Sequence, residues 1–178
     1  LGNPGAQYEG TRHNLGFRVI DRVAERLARK LDRLECNAVV SPGNPLLVKP
    51  QTFMNRSGYS LRCLLERRGA QPGDCLVVYD EVRLPLGRLR FRTAGSPGGH
   101  RGMESVINNL HTEAIPRLRL GVGPADGGLQ GEGLVDYVLE PFGADERDDV
   151  ESLIERAADA CGAWLEDEPE LVMNRFNA

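Results

Sequence analysis

Three histidines occur in the 178 residues, and two of them stand where an imidazole could do chemistry. His13 lies in the polar stretch Gly10-Thr11-Arg12-His13-Asn14, at the mouth of an amphipathic segment rather than inside it. His100 lies in Gly98-Gly99-His100-Arg101-Gly102, where glycines let backbone approach a ligand closely. His111 follows the end of an expected helix, where a positive imidazole suits the dipole, and reads as structural. Asp80 closes the apolar run Cys75-Leu76-Val77-Val78-Tyr79. A carboxylate there is suited to orient a histidine, holding one ring nitrogen protonated so that the other accepts a proton. Asn3 in an Asn-Pro-Gly turn and Asn55 in Thr52-Phe53-Met54-Asn55 add amides that serve either as turn and cap residues or as substrate donors. Together these groups fit a histidine that activates water directly, without a covalent intermediate.

Other chemistries lack their residues. There is no H-E-x-x-H and no Cys/His set with zinc spacing, so no metal is expected. The glycine-rich segment 95–102 lacks the Lys-Ser/Thr of a phosphate-binding loop, no G-x-G-x-x-G occurs, and no G-x-S-x-G elbow supplies a serine nucleophile. No cofactor is expected. Cys36, Cys63, Cys75 and Cys161 are scattered in apolar neighbourhoods, which predicts four inert thiols, no disulfide framework and a reducing, cytoplasmic compartment.

The elements that must position these residues can be read from periodicity. Leu15, Val19, Ile20, Val23, Leu27 and Leu31 recur at helical spacing and predict a helix over 15–31. Short strands are expected over 39–41 and 46–48, around the Pro42-Gly43-Asn44 turn, and a helix over 55–68, ended by Gly69. The continuous run 75–79 predicts a strand buried on both faces that delivers Asp80 and Glu81 at its C-terminal end, where ligand sites of open α/β sheets lie. Arg88-Leu89-Arg90-Phe91-Arg92 alternates, so three guanidinium groups share one strand face. A helix over 103–110, a strand over 117–122, a long helix over 150–165 and a short one ending at Phe176 complete the chain. The opening turn at Leu1 has no element before it, which points to a short first strand missing upstream.

The length suits one domain, 1–178, and no linker or repeat divides it. No run of about 18 apolar residues is present, so no membrane association is expected. Charge is unevenly spread. Residues 1–82 carry 12 Lys+Arg and 9 Asp+Glu, residues 83–119 carry 7 and 2, and residues 120–178 carry 3 and 15, against a total of −4. A basic middle inside a weakly acidic chain can dock a polyanion, because local patches rather than net charge decide that.

In order along the chain, Leu1-Gly2-Asn3-Pro4-Gly5, Thr11-Arg12-His13-Asn14, Thr52-Phe53-Met54-Asn55, Asp80-Glu81 and Gly98-Gly99-His100 resemble the bacterial peptidyl-tRNA hydrolases. The likeness continues through Arg117-Leu118-Arg119-Leu120-Gly121-Val122-Gly123, Tyr137-Val138-Leu139 and Asn174-Arg175-Phe176. It implies a monomeric, single-domain α/β enzyme with a mixed, mostly parallel twisted sheet flanked by helices on both faces. It also implies hydrolysis of the ester between peptide and tRNA, with contacts to the acceptor stem and CCA end. By the same resemblance His13 is the base, Asp80 orients it, Asn3 and Asn55 hold the peptide and ester, and Met54 is an apolar wall. Tyr8, Asn14 and His100 would contact the acceptor end, with Arg90, Arg92 and Arg119 near tRNA phosphates. Two positions depart from the family pattern: Arg101 replaces the usual Asn, and Arg83 replaces a frequent Asp. Arg101 is expected to substitute a charge-assisted contact for the amide's hydrogen bonds. The alternative is a non-enzymatic RNA-binding relative of the same fold, like a plant organellar splicing factor.

Overall fold

The computed structural model describes residues 1–124 and 133–177. Helix α1 (Leu15–Arg26) is shorter than its apolar repeat. Ala28 turns to a positive φ, and Arg29 leaves the helix to donate to Ser41 Oγ, Ser41 O and Pro45 O. The guanidinium thereby bolts α1 to the antiparallel sheet β1 (Arg33–Glu35), β2 (Ala38–Ser41) and β3 (Leu47–Pro50). β1 escaped the sequence reading because it is three residues long and its one apolar side chain, Leu34, faces solvent. Cys36 and Asn37, both left-handed, make the two-residue turn into β2.

Helix α2 (Ser57–Arg68) ends at left-handed Gly69, as expected. β4 (Val77–Pro85), β5 (Leu89–Arg92) and β6 (Arg117–Gly123) form the second sheet, in the order β4-β6-β5. Helix α3 (Arg101–Leu110) lies between β5 and β6 in the chain, and α4 (Gly133–Leu139), α5 (Arg147–Glu166) and α6 (Pro169–Phe176) follow β6. On one face of this sheet Val78, Phe91, Leu118 and Leu120 pack with Leu15 and Val19 of α1, Leu153 and Ile154 of α5, and Phe176 of α6. On the other, Val77 and Tyr79 pack with Met103 and Val106 of α3 and Leu61 of α2. The side-chain amide of Asn177 then pairs with both backbone groups of Phe91 and covers edge strand β5.

The α/β class, the mixed pairing and the helices on both faces agree with expectation, but the balance of pairing does not. Among the described strands only β4 and β6 run parallel; β1–β2, β2–β3 and β5–β6 are antiparallel. The loops within the first sheet are too short for a parallel crossover, which needs a dozen or more residues. The return from β4 to β6, through β5 and α3, has that length; the β5–β6 connection over 93–116 has it too, but that pair runs antiparallel.

The thiol expectation also needs correction. Cys36 and Cys63 form a disulfide that ties the β1–β2 turn to the middle of α2. The sequence carried no sign of it, because the partners are 27 residues apart and meet only when the hairpin docks on α2. Cys75 and Cys161 are free thiols, and burial pushes both up to about 12. Two thiols should therefore react in the denatured, unreduced protein and four after reduction. Closing a loop of this size is worth roughly 2–4 kcal/mol. Cys63→Ser should lower stability in denaturant melts by about that amount, and equal melts for wild type and variant under non-reducing conditions would refute the link.

Candidate active site

Asp80 sits inside β4, opposite Leu120 of β6, not at the strand's end. The regular parallel ladder stops at Glu81, and beyond it the register shifts. The expected strand terminus is therefore a break in pairing within a longer strand. Asp80 is almost wholly buried, at 1% exposure. Its carboxylate accepts hydrogen bonds from two imidazoles: His13 Nδ1 lies 2.9 Å from both oxygens, and His100 Nε2 lies 3.1 Å from Oδ1. Burial alone would raise the carboxyl group's pKa. The opposing charges of His13 and His100 and their hydrogen bonds win, and hold it well below the usual carboxylate range.

These contacts assign the tautomers. An ionised carboxylate only accepts, so His13 Nδ1 carries its proton and Nε2 is left for a ligand in the cleft. His100 is the N-cap of α3: its Nδ1 accepts from the backbone N–H of Met103 at 3.1 Å, so its proton is on Nε2 and points to Asp80. Positive φ at Gly98 and Gly99 turns the preceding loop back so that this cap can form. The family resemblance implies a contact of His100 with the acceptor end; in the structure Nε2 faces Asp80 and Nδ1 accepts from Met103 N–H. His13, Asp80 and His100 also form a group close enough to hold a metal ion, with donor atoms within 4.8 Å of one another. An ion there would have to displace both histidine–carboxylate hydrogen bonds.

The cleft holds about 560 Å³ and is lined by Asn3, His13, Met54, Asn55, Asp80, His100 and Arg101 of the expected set. Asn3 Oδ1 accepts from the backbone N–H of Met54 at 2.8 Å, which fixes the amide and leaves its NH₂ as the group available to a ligand. Met54 is buried in the cleft wall, and Asn55 is exposed. Asn14 is not on the wall. It is buried, donating to Asn3 O and accepting from Asn3 N–H, so it positions Asn3 and is not available to the acceptor end. Tyr8, half-buried in the 3₁₀ turn Ala6–Tyr8, also lies off the wall.

Arg119 differs from expectation as well. Both its Nε and its Nη2 donate to Glu81 Oε2, at 3.0 and 2.6 Å, so its charge is spent on a buried carboxylate beside Asp80. Arg90, directly opposite Arg119 in the antiparallel pair, and Arg92 make no ion pair with the described residues. Neither lines the cleft, whereas Arg56, Arg83 and Arg101 do.

One wall was missed altogether. Leu134, Val135, Val138 and Leu139 of α4 face the cleft with Phe53 and Val82. Their i, i+1, i+4, i+5 spacing is a helical signal, but only two turns of it.

This is a single-domain α/β protein with a solvent-reachable imidazole backed by a buried carboxylate, the equipment of a hydrolase that activates water. A family model described as peptidyl-tRNA hydrolase matches residues 1–178. A peptidyl-tRNA hydrolase of Methylacidiphilum infernorum (isolate V4) is 45% identical over 180 residues, covering 100% of this chain and 95% of the relative. One of Halalkalibacterium halodurans is 43% identical over 182 residues, covering 99% and 97%. The crystal structure of peptidyl-tRNA hydrolase from Acinetobacter baumannii superposes with a TM-score of 0.91 at 28% identity, covering 99% of this chain and 91% of that one. The chain belongs to the peptidyl-tRNA hydrolase family and is an enzyme of that family.

The depressed Asp80 sets a testable acid limb. A carboxyl group held lower in the folded than in the unfolded state adds stability above its ordinary value, 3.8 here, and loses it as pH falls below that. Wild type should lose stability on acidification below about pH 4. Asp80→Asn should show a shallower acid limb, and identical limbs in chemical denaturation would refute the assignment.

Proposed function

We propose that the enzyme cleaves the ester joining peptide to tRNA with His13 as general base. The carrying observation is the His13–Asp80 contact, which commits Nδ1 and leaves Nε2 for water. In this reading Nε2 takes a proton from water as the oxygen attacks the ester carbonyl, and Asp80 stabilises the imidazolium that forms. The carbonyl oxygen gains the negative charge, and the pre-oriented NH₂ of Asn3 donates to it. On collapse the C–O bond to ribose breaks, and the imidazolium returns its proton to the departing ribose oxygen. Asn55, exposed and unconstrained, suits the peptide rather than the oxyanion. His100 shares Asp80 with His13 and holds the carboxylate in place.

The cleft's lining carries both kinds of group that the two halves of such a substrate need, guanidinium and apolar. Arg56, Arg83 and Arg101 form a cationic rim suited to the 3′-terminal phosphates, and Arg90 and Arg92 extend positive charge along β5 toward the acceptor stem. Tyr8, which lies off the cleft wall, is retained as a contact to the acceptor end outside the cleft. The working state is read as a monomer on the family resemblance; the cytoplasmic expectation rested on four reduced thiols and loses that ground with Cys36 and Cys63 bonded. No observation favours the RNA-binding alternative, because the base, its orienting acid and both asparagines are all present.

His13→Ala should lower kcat by roughly 10² to 10⁴ while leaving tRNA affinity within a few-fold. Near-normal turnover of N-acyl-aminoacyl-tRNA by this variant would remove the base assignment. Asn3→Ala should cost about 10² to 10³ in kcat if its amide meets the oxyanion, and more than Asn55→Ala does. For the tRNA path, Arg90→Ala and Arg92→Ala should each flatten the log-log salt dependence of binding by roughly 0.7 to 0.9. Unchanged slopes in both would direct the path elsewhere.

A further inference from the structure

Arg12, beside the base, does not face the cleft. It is buried at 7% exposure, and its contacts all reach one segment, the end of α4 and the turn after it. Its backbone N–H donates to Glu140 O, Nη1 donates to Pro141 O at 3.0 Å, and Nη2 donates to both carboxylate oxygens of Glu146 at 3.0 and 2.8 Å. The guanidinium also stacks over Tyr137 at 4.4 Å and Phe142 at 4.8 Å. Thr11 adds a backbone bridge to Pro141.

Helix α4 needs such an anchor because none of its residues is buried. Apart from the Arg12 contacts, its described polar tie is Tyr137 OH donating to Val122 O at 2.7 Å. Yet α4 supplies four apolar residues, Leu134, Val135, Val138 and Leu139, to the same cleft that Arg56, Arg83 and Arg101 line. Phosphates are drawn to the rim and excluded from Leu134, Val135, Val138 and Leu139, so the acyl half of an ester falls against α4.

We propose that Arg12 is a positioning residue that clamps α4 to the His13 loop, and so sets an apolar wall selecting acyl groups whose side chain next to the ester is apolar. The selectivity half of this rests on the function proposed above; the clamp itself does not. Since α4 contributes nothing to the core, loosening it should alter substrate fit without unfolding the domain or disturbing His13 and Asp80.

Two measurements test this. The first needs no substrate: hydrogen exchange in Arg12→Gln should be faster across 133–140 and unchanged in β4, β6 and α5. Unchanged exchange over 133–140 would overturn the clamp whatever the activity. The second compares N-acetylglycyl and N-acetylleucyl esters on one tRNA body. Arg12→Gln should raise KM for the leucyl ester about tenfold and for the glycyl ester less than about twofold, with kcat and its pH profile unchanged. Arg12→Lys, which keeps the charge facing Glu146 but loses the fork and stacking, should fall between. Equal KM penalties on both esters, or a shifted pH profile, would overturn the selectivity role. Should Arg12→Gln fail to melt cooperatively, Val138→Ser on the wall replaces it and must show the same leucyl-specific rise, equal penalties again counting against the proposal. Wild type that hydrolyses neither ester would refute the function and the selectivity role, while the exchange result would still decide the clamp.

Discussion

One buried negative charge organises the site. A carboxylate withdrawn from water is costly unless fully hydrogen-bonded and paired, and removing one partner of a buried pair typically costs about 3–5 kcal/mol. Asp80 meets that demand with two imidazole N–H groups, from rings whose centroids lie 5.1 Å apart. One comes from the 3₁₀ turn that opens α1 and the other from the residue that caps α3, so a single carboxylate joins β4, α1 and α3. The same contacts that compensate the buried charge fix the ring orientation and tautomer of His13. Stability and the orientation of the His13 ring are therefore one requirement at this point in the fold.

Around it lie interactions that remove ambiguity. Glu81 would place a second negative charge next to Asp80 and repel an anionic substrate. Arg119 compensates it, and the backbone N–H of Arg83 accounts for its other oxygen. Asn14 holds Asn3 through both backbone groups, and Met54 N–H fixes which end of the Asn3 amide is free. His13 and Asn3 are thus each held in one orientation by neighbouring groups, the arrangement that keeps a site at productive geometry.

What the sequence revealed depended on range. His13, Asp80, Asn3 and Asn55 were legible as candidates because each sits in a short motif beside a turn, a strand or a helix start, and all four line one cleft. The helices and central strands were legible through periodicity. What escaped depends on contacts distant in sequence. Nothing local distinguishes Arg119 facing Glu81 from Arg90 facing solvent, since both alternate in the same way along paired strands. Asn14 and His100 were recognisable as polar residues at a loop, but only the folded chain reveals that their amide and imidazole turn inward. Cys36 and Cys63 needed the hairpin to dock, and α4 was too short for its two-turn pattern to count.

The formal charge of −4 gives a misleading picture of how this chain meets a polyanion. The acidic excess is concentrated late in the sequence, and much of it lies on α5, where Glu151, Glu155 and Asp159 pair with Arg18, Arg22 and Arg26 of α1. Glu35 similarly engages Arg67 and Arg68, and Glu146 engages Arg12. Among the described residues, the arginines without a carboxylate partner include Arg56, Arg83 and Arg101 on the cleft and Arg90 and Arg92 on β5. Exposed pairs such as those between α1 and α5 add little stability. Their effect is to neutralise Glu151, Glu155 and Asp159 locally, away from the guanidinium groups that line the cleft. Charge here is sorted by pairing rather than by amount, and that sorting lets an acidic protein present cationic groups on its cleft and along β5.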